Sequence, residues 1–203
     1  MANYTIIIRS VFTIHFSHKL FYDNQRDWIR SGSQVSTATA IQAPFSFYYV
    51  KDSDWSTNHG YNKWNINFTG AAGVNNTAII KTIYDPSITG YTLPKTAAFT
   101  NFSSTGGNTT NSSQYNVSSF DDGWNFYTSN WKSGATIYFP ALGFRETYNK
   151  SGLLTGVGGC GSFWTSGASS TSYARYLSFY STRVGPQYTN SRSYGFSIFP
   201  VKE

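Results

Sequence analysis

The run Ser172–Phe196, SYARYLSFYSTRVGPQYTNSRSYGF, holds five tyrosines and three arginines and has no acidic residue. In its RYLSFYST portion Leu177 and Phe179 alternate with Tyr176, Ser178, Tyr180 and Thr182, the period of two that marks a strand with one apolar face. The last apolar segment, GFSIFPV, sets Phe196 and Ile198 on one side and Gly195, Ser197 and Phe199 on the other. Between the two lies VGPQYTNSRSY, rich in residues that favour turns. The spacing predicts strand, turn and strand near the C-terminus, with tyrosine, serine and arginine on the faces that the core does not use.

The whole chain shares this character. Its 203 residues suit one medium domain with a real core, yet only 12% are charged while 19% are aromatic, with 16 Tyr and 16 Phe. The surface must therefore be built largely from Ser, Thr, Asn, Gly and Tyr, a composition suited to recognition surfaces, where Tyr supplies rigid contact area and small polar residues supply hydrogen bonds. The formal charge of +6 reflects nine acids against fifteen Lys plus Arg, and the bases are scattered, so no nucleic acid partner is expected. The single cysteine, Cys160, excludes an intrachain disulfide and a cysteine metal cluster and is read as a buried structural thiol. No apolar run is long enough to span a membrane, and NYTIIIRSVFTIHF is too short and too interrupted for a secretory core, so membrane insertion is not expected.

Residues 1–40 read as an attachment or oligomerisation segment, with SGSQVSTATA (Ser31–Ala40) as linker or edge, and residues 41–203 as the main domain. From Ile41 onward short runs such as FSFYYV, WNINF, AIIKTIY and ATIYFP alternate with Asn, Gly, Ser and Asp clusters, a mainly β pattern with long loops. Two short helices are predicted, over Leu93–Phe102, which Pro94 would open, and over Gln114–Phe120.

Catalytic signatures are sparse. His15 and His18 lie three apart, but in a segment read as strand or irregular and with no acidic motif beside them, so they and His59 are read as structural histidines rather than metal ligands, and no metal or cofactor is expected. Asp52 with Asp54, and Asp121 with Asp122, are the carboxylate pairs available for glycan cleavage, but adjacent loop acids more often turn or cap the backbone. No nucleophile elbow, phosphate loop or dinucleotide fingerprint is present, so the chain is not read as an enzyme.

One ordered series of motifs carries a resemblance. FPALGFR, GSFWTS, A-R-Y-L-S-F, V-G-P and R-S-Y-GFSIFPV follow one another from Phe139 to Val201, preceded by KTIYDPSITGYTLP at Lys81–Pro94. The series resembles C-type-lectin-like domains of the formylglycine-generating-enzyme subtype, in particular the variable proteins diversified by retroelements in gut Bacteroidetes and their phages. It covers about residues 41 to 201. Ser87 stands where that family often has Cys, Phe199 where it usually has Arg, and Phe163 and Thr165 where it has Tyr and Ser.

The resemblance implies an α+β, C-type-lectin-like fold of short antiparallel strands, one or two helices and long loops. Trp164, Leu177, Phe179, Phe196 and Ile198 would be core. Tyr173, Arg175, Tyr176, Ser178, Tyr180, Thr182, Arg183, Gly185, Tyr188, Ser193 and Tyr194 would form a displayed ligand-binding face. In such systems adenines in Asn codons are mutagenised, and the products cannot encode Trp, Gln, Glu, Lys or Met. Over Thr165–Val201 Gln187 alone belongs to that excluded set, although average usage would supply several Lys and Glu. The implied function is receptor binding at a phage tail-fibre tip, on the virion. A bacterial cell-surface adhesin, a fimbrial subunit and a glycan-cleaving enzyme are the alternatives. The partner would be a host-cell surface protein or glycan, engaged by a homotrimer or other multivalent assembly.

Overall fold

The computed structural model describes residues 29–43, 46–51, 53–148 and 152–203. Strands dominate: β1 (Ile29–Ser31), β2 (Phe47–Tyr49), β3 (Tyr91–Thr92), β4 (Val117–Phe120), β5 (Gly123–Tyr127), β6 (Thr136–Pro140), β7 (Leu142–Arg145), β8 (Leu154–Val157), β9 (Cys160–Ala168), β10 (Tyr173–Tyr180), β11 (Arg183–Ser191), β12 (Ser197–Ile198) and β13 (Val201–Lys202). The one α-helix among the described residues, α1, spans Thr37–Gln42 and is capped by the Ser36 hydroxyl, which accepts from the Thr39 amide at 3.0 Å. It occupies part of the segment expected to be a linker, and the boundary expected at residue 40 falls inside it.

The main sheet has the order β11-β10-β9-β7-β8. β12 also pairs with β9, in parallel, through Ser197 opposite Phe163 and Ile198 opposite Trp164. A separate antiparallel meander, β4-β5-β6, packs its aromatics against the main sheet. β9 is central, and all nine of its residues are buried, so its two faces serve two cores. On one face Phe163, Leu177, Phe179 and Val184 meet Phe126 and Phe139 of the meander together with Phe99, Phe102 and Tyr115. Ring centroids here lie 4.0 Å apart for Phe102 and Phe126 and 5.2 Å for Phe139 and Phe163, the second pair edge to face. On the other face Trp164, Ala174, Tyr176 and Phe196 form a second cluster, flanked by Trp64, Phe144, Tyr188 and Tyr194. Gly161 lies directly under the Phe179 ring, since a Cβ there would stand 2.2 Å from it.

This architecture corrects the α+β, C-type-lectin-like fold implied by the motif series: that fold needs helices, and the described residues are nearly all strand, turn and loop. Neither predicted helix forms. In Leu93–Phe102 the backbone groups are engaged elsewhere: Leu93 donates to the buried Asp85 carboxylate, Pro94 accepts from Ser166 of β9, and Ala97 donates to Asn75. The segment closes only three-residue turns, from the Ala98 amide to Lys95 and from the Thr100 amide to Ala97, ending in the short 3₁₀ segment Thr100–Phe102. Gln114–Phe120 is likewise captured by tertiary partners. Asn116 donates to the carbonyls of Asn101 and Tyr127, and Val117 opens β4 by pairing with Phe126.

Candidate ligand-binding surface

The hairpin β10–β11 turns through two residues, Ser181 and Thr182, with Tyr180 opposite Arg183. Its tip is fixed from below. Trp124 Nε1 donates to the Tyr180 carbonyl at 2.9 Å, and the Tyr115 hydroxyl donates to the Thr182 carbonyl. Both donors belong to the meander-side core, so the tip is tied to that buried aromatic cluster.

Beyond the tip, the register shifts between Tyr176 and Ser178, so β11 carries one extra residue across the Gly185–Tyr188 stretch. Pro186 is tolerated in this bulge because a ladder hydrogen bond is already missing there. The Tyr188 ring folds back over Gly185, whose absent Cβ would sit 2.0 Å from it. The outer edge of β11 is partly covered by the loop at residues 106–109. Thr109 and Val184 exchange backbone hydrogen bonds, Asn108 accepts from the Gln187 amide at 3.0 Å, and the Gln187 side chain donates to the Gly106 carbonyl.

Arg183 is the centre of the resulting surface. Its guanidinium carbon lies 4.4 Å from the Tyr180 ring centre and 5.0 Å from that of Tyr188, and Nη2 donates to the Ser178 hydroxyl at 3.3 Å. Tyr188 in turn packs 6.1 Å from Tyr176. A cation stacked on phenol faces is worth about 0.5–1 kcal/mol when exposed and more when desolvated. Burial pushes the Tyr180 phenol above its usual range, with Arg183 opposing, so the ring remains a neutral donor and acceptor at physiological pH. The patch thus offers two half-buried phenols, a planar cation and the exposed Thr182 side chain.

The remaining expected face residues divide. Tyr173 is exposed, and Arg175 and Tyr194 are half-buried. Arg175 is tied down through Nε, which donates to the Ala72 carbonyl at 2.7 Å, and Tyr194 rests against Phe144 and Phe196. Tyr176, Ser178, Gly185 and Ser193 are buried and so are not display positions. The Ser193 hydroxyl accepts from Val50 and donates to the Ser53 carbonyl, fastening the C-terminal segment to the residues around 50.

The candidate acids that are described stand in two separate places. Asp52, His15 and His18 lie outside the described residues. Asp121 and Asp122 are exposed and form the β4–β5 turn, their carbonyls accepting from the Tyr138 hydroxyl. Asp54 is fully buried, and its Oδ2 faces Arg192 at 2.9 Å, His59 at 3.5 Å and Lys63 at 3.6 Å. Sequence reasoning did not assemble this cluster. DWSTNHGYNK places Asp54, His59 and Lys63 within ten residues, but Arg192 reaches them from the other end of the chain. Cys160 is buried, with its thiol pushed up by burial, as expected of a structural cysteine. Among the described residues no three His, Cys, Asp or Glu side chains group as metal ligands, and no helix is long and apolar enough to cross a membrane.

Comparison with protein-family models, curated proteins and solved structures finds no match for this chain.

Proposed function

We propose that the protein is a non-enzymatic receptor-binding protein that recognises a surface protein or glycan through the Tyr180–Arg183–Tyr188 patch. Its setting in this reading is a phage tail-fibre tip, and a bacterial cell-surface adhesin is the second setting. The observation that carries the reading is the arginine held between two tyrosine rings at the tip of a hairpin anchored by Trp124 and Tyr115. Preorganised aromatic and guanidinium groups supply most of the energy at recognition surfaces, because little side-chain freedom remains to be lost on binding. Phenols and the guanidinium would bury apolar ligand area while donating to its hydroxyl, carbonyl or acidic groups. Contacts of this size are individually modest, so display in a homotrimer or other multivalent assembly would supply avidity.

Diversification by a retroelement belongs to the same proposal. The absence of Trp, Glu, Lys and Met over Thr165–Val201 supports it. So does the position of Gln187, the single residue in that span outside the accessible codon set, which is engaged with the loop at residues 106–108.

The test is attachment of the purified protein to host cells and to a glycan array, comparing the wild type with Tyr180→Ala/Tyr188→Ala. Loss of attachment by a variant that still unfolds cooperatively is expected. Unchanged attachment by the double variant would overturn the reading of this face, and turnover of any arrayed glycan that depends on Asp121 or Asp122 would overturn the non-enzymatic one.

A further inference from the structure

The cluster around Asp54 is unbalanced in a way that points to a ligand. Burial in a protein interior is tolerated when charges are paired and hydrogen bonds are satisfied, and each buried polar atom without a partner calls for an explanation such as a bound ion. Eight buried side-chain polar atoms among the described residues have no hydrogen-bond partner, and four of them meet here: Asp54 Oδ2, His59 Nδ1, Lys63 Nζ and Arg192 Nε. Three nitrogen-bearing groups converge on one carboxylate oxygen at ion-pair distance, Arg192 Nη2 nearest at 2.9 Å, which leaves Arg192 Nε with no acceptor. Arg192 has other partners, Nη1 donating to the Gly60 carbonyl and Nη2 to that of Thr171, but both are neutral. One carboxylate therefore faces an arginine and a lysine, with an imidazole as a third group. Trp55, under the Lys63 ammonium at 4.9 Å, adds an apolar wall. Exposure rises from 0% at the Asp54 side chain through 7% at Arg192 and 15% at Lys63 to 38% at His59, so the cluster opens to the surface at the histidine.

We propose that this cluster is a binding site for a carboxylate group, which enters past His59 and is held by Lys63 Nζ and Arg192 Nε. A carboxylate suits the donors: it accepts at both oxygens, completes the charge of the cluster and is small enough to share it with Asp54. The site is formed by the loop at residues 54–63 and by Arg192, and it stands independently of the reading of the tyrosine patch. Burial lowers the Lys63 ammonium to about 8 and Asp54 opposes that fall, so Lys63 is still mostly charged at neutral pH.

The experiment is a thermal melt of the full chain at pH 7 and constant ionic strength, titrated with sodium acetate, sodium glucuronate or a polyuronate oligosaccharide against sodium chloride. A saturable rise is expected, roughly 5–10 °C at a hundredfold excess over Kd. A rise with acetate and glucuronate alike identifies a site for a free carboxylate. A response confined to glucuronate and the oligosaccharide identifies a carboxylate carried on an acidic glycan. Lys63→Met, which keeps the aliphatic stem over Trp55, should weaken the effect at least tenfold, and His59→Gln, at the half-buried mouth of the cluster, should weaken it with the fold kept. A rise that does not saturate, or that is equal in all variants, overturns the proposal. So does a wild type that responds to none of the carboxylates.

Discussion

The Arg183 guanidinium carbon stands 4.4 Å from the centre of the Tyr180 ring, its partner directly across the two-residue turn. The planar cation can lie flat on the ring and still donate to Ser178, whereas an ammonium, a point charge with no plane to stack, would not hold both contacts at once. Arg183→Lys is expected to weaken ligand binding about 5- to 20-fold while changing stability by less than about 1 kcal/mol. Surface plasmon resonance beside urea denaturation checks both parts. Equal binding by the lysine variant would show that charge alone matters.

Gly185 lies under Tyr188 with no room for a methyl group. In Gly185→Ala the ring must swing away, breaking its contact with Tyr176 and its half of the arginine stack. A destabilisation of about 1–3 kcal/mol is expected, as for other overpacked sites, with a larger loss in binding than Arg183→Lys produces. A crystal structure of the variant with Tyr188 unmoved would contradict this account.

Ser193→Ala removes a hydroxyl that serves Val50 and Ser53 at once. The Ser53 carbonyl still accepts from the Ser191 hydroxyl, but leaving the Val50 amide unpaired should cost about 1–3 kcal/mol. Amide exchange at Val50 should quicken, while the hairpin tip, held by other residues, keeps its protection.

Lys63 gives stability a pH dependence of defined sign. Its folded pKa, about 8, lies below the ordinary 10.5, so at pH 7 the charged form bears its full burial penalty. Between about pH 8 and 10.5 the unfolded chain binds more protons than the folded one, and stability from this group rises with pH. In urea denaturation at pH 7, 8, 9 and 10, wild type should gain on Lys63→Met as pH increases. A constant gap would mean that Lys63 titrates normally.

The core of the C-terminal half was legible in the sequence because it is local. Leu177 and Phe179 alternate with polar residues, and Trp164, Leu177, Phe179, Phe196 and Ile198 are all buried as the pattern predicts. The opposite face of β10 was not legible. Nothing near Tyr176 announces that Trp64 and Phe144 lie alongside, so a face expected to be open is covered, and Tyr176 and Ser178 are lost to recognition. Ser193 misled for the same reason, since its partners lie about 140 positions away. The absent helices show the other limit: LPKTAAFTNF has an acceptable start in Pro94, but hydrogen bonds to Asn75, Asp85 and Ser166 outweigh a weak local preference.

Trp124 and Tyr115 grip the hairpin tip through the carbonyls of residues 180 and 182 rather than through their side chains. Every residue type has a carbonyl, so this grip is indifferent to what the tip residues are. Replacement of Ser181 or Thr182 leaves both hydrogen bonds available, and a lineage could rewrite the tip repeatedly without renegotiating its foundation. Under the proposed binding role, the fold would keep a constant framework beneath a tip that is free to change.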